Sequence, residues 1–145
     1  MKTTTAMTAI RILVIEDMID TIRGAFELAA ISEFNENMSF IFCPRSQDVD
    51  YGSINDFALI FVDIELAKVS KEDGFSILRR LLNERHYPLN RTIILTGNTV
   101  VNEKLEENSI DPKIFVVKKP VNYDDIAKVL KERIKLSPDG EYYLI

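Results

Sequence analysis

The sequence predicts an α/β fold, a mostly parallel sheet covered on both faces by helices, on three observations. Four apolar runs recur along the chain, Ile12–Ile15, Phe57–Val62, Ile93–Leu95 and Ile114–Val117, and each ends abruptly in polar or charged residues. Unbroken runs of this length suit strands buried on both faces. Segments with helical apolar spacing lie between them, and five alternations of strand with helix give a parallel sheet with right-handed, doubly wound crossovers. The length, 145 residues, is that of one domain able to bury a core without disulfides or structural metals.

Each element follows from local residues. Arg11–Ile15 forms the first strand, and Asp17 or Asp20 is placed to cap the next helix, with Ile22, Ala25, Phe26 and Ala29 on its inner face. Met38–Phe42 reads as the second strand, and 44–55 as a polar loop with a short helical turn. Phe57–Val62 is the third strand, followed by a charged loop over Lys68–Asp73. Gly74 precedes a helix that turns Phe75, Leu78, Leu81 and Leu82 inward and closes at Pro88. Thr92–Leu95 is the fourth strand, and Val100, Val101 and Leu105 mark a short, weakly anchored helix. Asp111-Pro112 turns into the fifth strand, Lys113–Val117. Asn122 caps the last helix, Asp125 sits where a carboxylate favours the positive end of the dipole, and Ile126, Val129, Leu130 and Ile134 line a buried face running to Leu136. The expected organisation is a flexible N-terminus over 1–9, one folded domain over 10–136 and a short acidic tail over 137–145, with no linker, repeat or second domain.

Composition narrows the functional classes. A net charge of -5 argues against non-specific nucleic-acid binding, which needs a basic patch. The lone Cys43 has no internal disulfide partner and reads as a buried strand-end thiol. No stretch approaches the ~20 apolar residues of a membrane span, and residues 1–9 lack the apolar core of a signal peptide. A cytoplasmic protein with no membrane partner is expected.

The polar ends of the runs carry the chemistry. Glu16-Asp17 follow the first strand, Asp63 the third, Thr96 the fourth, and Lys118-Lys119-Pro120 the fifth. Ligands of open α/β sheets sit beyond the carboxyl ends of the strands, so adjacent parallel strands would bring three carboxylates, a hydroxyl and an amine together. Taken singly, each residue has a plainer reading as a solvated loop acid, a helix cap, a strand-end threonine or a surface lysine. Their joint placement in strand order favours a site. Glu16, Asp17 and Asp63, without His or Cys beside them, are hard oxygen ligands suited to Mg²⁺ or Mn²⁺. Asp63 is the natural nucleophile, since a carboxylate attacking phosphorus forms an acyl phosphate. Lys119 and the Thr96 hydroxyl can neutralise phosphoryl charge, and Gly97 leaves that pocket uncrowded. His86, before Pro88, has no partner at ligand spacing and reads as an exposed histidine.

On the motifs ILVIED (12–17), FVDIE (61–65), DGFSILRRL (73–81), ILTGN (94–98) and KKP (118–120), the chain resembles the receiver domain of two-component response regulators over about residues 10–136. The resemblance implies a flavodoxin-like fold with five parallel strands in the order 2-1-3-4-5. It implies that Glu16 and Asp17 hold Mg²⁺, with Asp63 and the main-chain carbonyl of Glu65 completing the metal site. Asp63 would accept a phosphoryl group from a sensor histidine kinase or histidine phosphotransfer protein, with Thr96 and Lys119 binding its oxygens. The output face would be the fourth helix, fifth strand and fifth helix of that family.

Several features depart from the family pattern. The loop from Asp63 to Asp73-Gly74 is about three residues longer, and a common proline after the phosphoacceptor is absent. The usual switch aromatic falls at Val116, with Phe115 beside it; neighbouring strand residues face opposite sides, so Phe115 is no direct replacement. Asp111-Pro112 replaces a usual Gly-Ala. The leading expectation is a stand-alone receiver, a phosphorylated binding module and not a turnover enzyme, acting through a separate, unidentified downstream protein; the sequence leaves its oligomeric state open. Two alternatives stand beside it: a small Mg²⁺-dependent phosphohydrolase with Asp63 as nucleophile and Glu65 as acid, and a non-phosphorylated receiver-like scaffold.

Overall fold

The computed structural model describes residues 9–34, 38–66, 69–139 and 141–145. Except for Ala9, the expected flexible N-terminus lies outside them, as does Lys68 at the start of the charged loop. Five strands form one parallel sheet: β1 (Ile10–Ile15), β2 (Met38–Cys43), β3 (Leu59–Asp63), β4 (Thr92–Thr96) and β5 (Phe115–Lys118). Their order is β2-β1-β3-β4-β5, the flavodoxin-like arrangement. The central strands β3 and β4 are buried at every position. The edge strand β2 instead alternates buried and more exposed residues. This is the difference expected between strands covered on both faces and a strand at the margin.

Helices α1 (Ile19–Phe34), α2 (Gly74–Arg79), α3 (Asn102–Glu107) and α4 (Tyr123–Arg133) cover the sheet. Alternation along each strand sorts the core into two layers. Ile12, Val14, Phe61 and Leu95 face α1 and α4, packing on Phe26, Ala29, Ile126 and Leu130. Leu13, Ile15, Ile60, Val62 and Ile94 face α2 and α3, packing on Ile77, Leu78, Leu81 and Leu105. Phe26 meets the rings of Phe61, Phe40 and Phe42 edge-on at 4.9, 5.5 and 6.2 Å, a geometry that adds to burial. Among the described residues no helix is long and apolar enough to cross a membrane.

Strands β3 and β5 begin two residues later than expected and run one residue further, to Asp63 and Lys118, and the structure departs from sequence expectations in five further places. Asp20 lies inside the first turn of α1, so neither it nor Asp17 is the residue immediately ahead of that helix. The β2–β3 crossover is built of two 3₁₀ turns, Ser46–Asp48 and Tyr51–Asp56. After α2 the chain widens into a turn over Arg80–Glu84, with the Arg85 amide donating to the Arg80 carbonyl at 3.0 Å. His86 then adopts φ 56° and ends the segment before Pro88; histidine is among the residues enriched in this left-handed region. Helix α3 starts only at Asn102, with Val100 outside it and 64% exposed, and Val101 and Leu105 are its buried anchors.

The fifth departure is at the C-terminus. The last helix stops at Arg133, and Ile134 is already extended. Strand β6 (Ile134–Leu136) pairs antiparallel with β7 (Tyr142–Leu144), joining Ile134 to Leu144. Tyr142 is buried, its hydroxyl donates to the Phe34 carbonyl at 3.0 Å, and its ring lies 5.8 Å from that of Phe34. A β-branched residue and an aromatic that can bury area in the core favour the hairpin over another helical turn.

Candidate phosphoryl and metal site

The site is built at the carboxyl ends of β1, β3, β4 and β5. Glu16 follows β1 directly, and its amide donates to the Cys43 carbonyl at 3.0 Å, so the β1–β2 pairing carries one residue past the strand and fixes the carboxylate. Its Oε1 accepts from the Met18 amide at 3.0 Å. Asp63 is the last residue of β3 and pairs in register with Leu95. The Ile64 amide extends that ladder to the Leu95 carbonyl at 3.3 Å, and the Glu65 amide donates to Asp63 Oδ1 at 2.8 Å. Thr96 ends β4, and its carbonyl accepts from the Lys119 amide at 2.8 Å. Glu16, Asp63 and Thr96 are fully buried, and Asp17 is half-buried.

The Lys119 ammonium joins the carboxylates. Its Nζ lies 2.8 Å from Glu16 Oε2 and 3.1 Å from Asp63 Oδ2. Alternation sends the neighbouring Lys118 elsewhere, and its Nζ donates to the Asn98 carbonyl. The peptide bond between Lys119 and Pro120 is cis. Among the described residues, Glu16 Oε2 and Asp63 Oδ2 have no hydrogen-bond partner beyond these ion pairs. Burial, and then the Glu16 charge, push the Asp63 carboxyl up to about 7, against the opposing pull of the Glu65 amide and Lys119. Burial acts to lower the Lys119 ammonium, but the hydrogen bond to Glu16 and the charge of Asp63 outweigh it and hold it above its ordinary value.

Glu16, Asp17 and Asp63 each offer an oxygen, and these atoms lie within 4.8 Å of one another. An oxygen-only set with two buried acceptors served by a single ammonium fits a hard divalent cation. The fit for Mg²⁺ therefore rests on the donor chemistry. Phe115 and Val116 pack on opposite faces of the sheet: Phe115 joins the α1–α4 layer, with the Arg133 guanidinium 4.7 Å above its ring, and Val116 joins the α2–α3 layer.

Three features were not read from the sequence. The Glu65 side chain crosses to β4: Oε2 accepts from the Thr96 hydroxyl at 2.7 Å and Oε1 from the Gly97 amide at 2.8 Å. Strand register holds the signal for this, because Asp63 opposite Leu95 carries Glu65 opposite Gly97 two residues on. Gly74 is a close approach, since a Cβ there would lie 2.3 Å from the Asp63 carbonyl oxygen and 2.4 Å from the Ile64 Cα. The longer loop is docked onto the β2 exit: the Ser46 amide donates to Ser70 Oγ at 2.8 Å, the Glu72 amide to Ser46 Oγ at 2.8 Å, and the Lys71 amide to Gln47 Oε1 at 3.0 Å.

Neither a protein-family model nor a curated protein matches the chain. Solved structures do. The receiver domain of NtrX from Brucella abortus is 21% identical with a TM-score of 0.59, over 83% of this chain and 95% of that one. The chemotaxis response regulator CheY4 of Vibrio cholerae is 17% identical with a TM-score of 0.65, over 86% and 98%. The signal receiver domain of a DNA-binding response regulator from Colwellia psychrerythraea is 18% identical with a TM-score of 0.60, over 85% and 96%. Against a longer NtrX chain the match, 22% identical with a TM-score of 0.60, covers 86% of this chain but only 27% of that one. The shared part is the receiver unit, and this chain has the receiver-domain fold of the response regulators.

Proposed function

We propose that the chain is a phosphoacceptor receiver of two-component signalling or a phosphorelay, taking its phosphoryl group on Asp63 from a sensor histidine kinase or a histidine phosphotransfer protein. One observation carries this reading: the Lys119 ammonium bridges Glu16 and Asp63, at 2.8 and 3.1 Å, where the strand tips meet. An Asp63 carboxylate oxygen attacks phosphorus and an O–P bond forms. The P–N bond of a phosphohistidine breaks, and its electron pair returns to the imidazole nitrogen, which takes up a proton. The Glu65 amide on Asp63 Oδ1 orients the attacking carboxylate. Lys119 and the Thr96 hydroxyl supply donors for the phosphoryl oxygens. Bound Mg²⁺, or Mn²⁺, held by Glu16, Asp17, Asp63 and the Glu65 carbonyl, would supply positive charge at the same oxygens. The new charge beside Thr96 biases the weakly anchored α3, and a downstream protein reads the face made by α3, β5 and α4.

Incubation with acetyl phosphate and Mg²⁺, read by intact mass, tests the assignment. One acid- and base-labile phosphoryl adduct is expected, and Asp63→Asn should abolish it. A labelled species that persists in that variant and maps elsewhere would refute the assignment.

A further inference from the structure

We propose that the Glu65 carboxylate is a built-in competitor for the incoming anion: it occupies two of the donors that a phosphoryl group on Asp63 needs and must leave before the group can be held. This rests on the reading of Asp63 as phosphoacceptor and adds a gating residue to that site. In the reading above, the Lys119 ammonium and the Thr96 hydroxyl hold the phosphoryl oxygens, and the Gly97 amide stands next to Thr96 as a third donor just past β4. Glu65 takes the second and third together, at 2.7 and 2.8 Å. Each has one proton to give. The Thr96 oxygen already accepts from the Asn98 amide at 3.0 Å, so its own proton is directed toward Glu65. A carboxylate and a phosphoryl oxygen cannot share one O–H or one N–H at full strength, and two anions side by side also repel.

The geometry also lets Glu65 move. Its backbone is tied to Asp63 through the amide bond to Oδ1 at 2.8 Å, so the side chain stays beside the reacting carboxylate. The side chain itself is exposed, and it is held by the Thr96 hydroxyl at the end of β4 and the Gly97 amide just beyond it. Among the described residues, a Cβ added at Gly97 would meet Glu65 Oε1 at 3.8 Å, so the carboxylate lies over that stretch of backbone. In the absence of a phosphoryl group Glu65 therefore satisfies the pocket, and phosphorylation exchanges one anion for another on the same donors.

The test compares wild type, Glu65→Ala and Glu65→Gln by amide NMR and by titration with beryllofluoride in saturating Mg²⁺. Because Glu65 is exposed, both variants should fold, and their urea midpoints check this. Without any anion, the Gly97 amide proton should move upfield in Glu65→Ala as its hydrogen bond is lost. Beryllofluoride should bind Glu65→Ala at least tenfold more tightly than wild type, about 1.4 kcal/mol, with Glu65→Gln between them. A Gly97 resonance unchanged by Glu65→Ala would overturn the proposal, as would wild type and Glu65→Ala binding beryllofluoride equally. If neither protein binds beryllofluoride, the phosphoacceptor reading falls and the competition falls with it, whereas equal binding removes the competition alone.

Discussion

Replacing Lys119 by methionine keeps an apolar stem and removes an ammonium that lies within 3.1 Å of both buried carboxylates. Breaking a buried pair by deleting one partner costs about 3–5 kcal/mol, and that loss is expected at pH 8 in the presence of a chelator. The penalty should depend on pH with a definite sign. In the wild type, Asp63 sits at about 7 against an ordinary 3.8, so the stability linked to its proton is full below the unfolded value and is lost as pH rises through 7. Without the ammonium the Asp63 carboxyl is pushed higher still, so the variant keeps a proton further up the pH range than the wild type does. For a wild-type value near 7, the part of a proton retained by the variant between pH 6 and 8 is worth at most roughly 1.4 kcal/mol. The deficit of Lys119→Met should therefore be larger at pH 8 than at pH 6, by up to that amount. Urea unfolding of both proteins at the two pH values, with chelator and then with millimolar Mg²⁺, measures it, and Mg²⁺ should narrow the gap by restoring positive charge. A variant as stable as wild type at pH 8, or a deficit that grows toward pH 6, would refute the reasoning.

Mg²⁺ itself should raise the wild-type melting temperature, more at pH 8 than at pH 6, because cation and proton compete for Asp63; Asp17→Ala should abolish the increment, and a melting curve indifferent to millimolar Mg²⁺ would count against the cation site. Gly74→Ala must push apart backbone atoms 2.3 and 2.4 Å from the new Cβ, so a loss of about 3 kcal/mol in urea unfolding and a lower yield of adduct are expected; an unchanged midpoint would contradict the close approach. Lys118→Ala loses one contact to the Asn98 carbonyl and should change stability by about 0.5 kcal/mol or less, with the adduct intact. Beryllofluoride should shift amide resonances mainly over 96–107 and 115–125, since α3 is held by few buried residues; changes confined to the strand tips would show that α3 does not carry the signal.

Much of this protein was legible in the residues alone. Apolar runs ending in Glu16-Asp17, Asp63, Thr96 and Lys119 mark both the strands and the residues at their tips, because a strand buried on two faces must stay apolar until it emerges. Alternation also separates Lys119 from Lys118 and Phe115 from Val116. Asn122 illustrates a local capping rule that holds, its side chain accepting from the Asp125 amide at 3.0 Å. Other features were decided by contacts between segments far apart in sequence. The end of α4 at Arg133 depends on Ile134–Leu136 finding Tyr142–Leu144, and on Tyr142 reaching Phe34 across the fold. The longer loop takes its place because Ser46 and Gln47 accept or supply its hydrogen bonds. The Glu65 side chain turns to Thr96 and Gly97 only because β3 and β4 pair in one register. Periodicity and capping are local and can be read from neighbours in the chain, whereas the partner of a side chain depends on which strand ends up beside it.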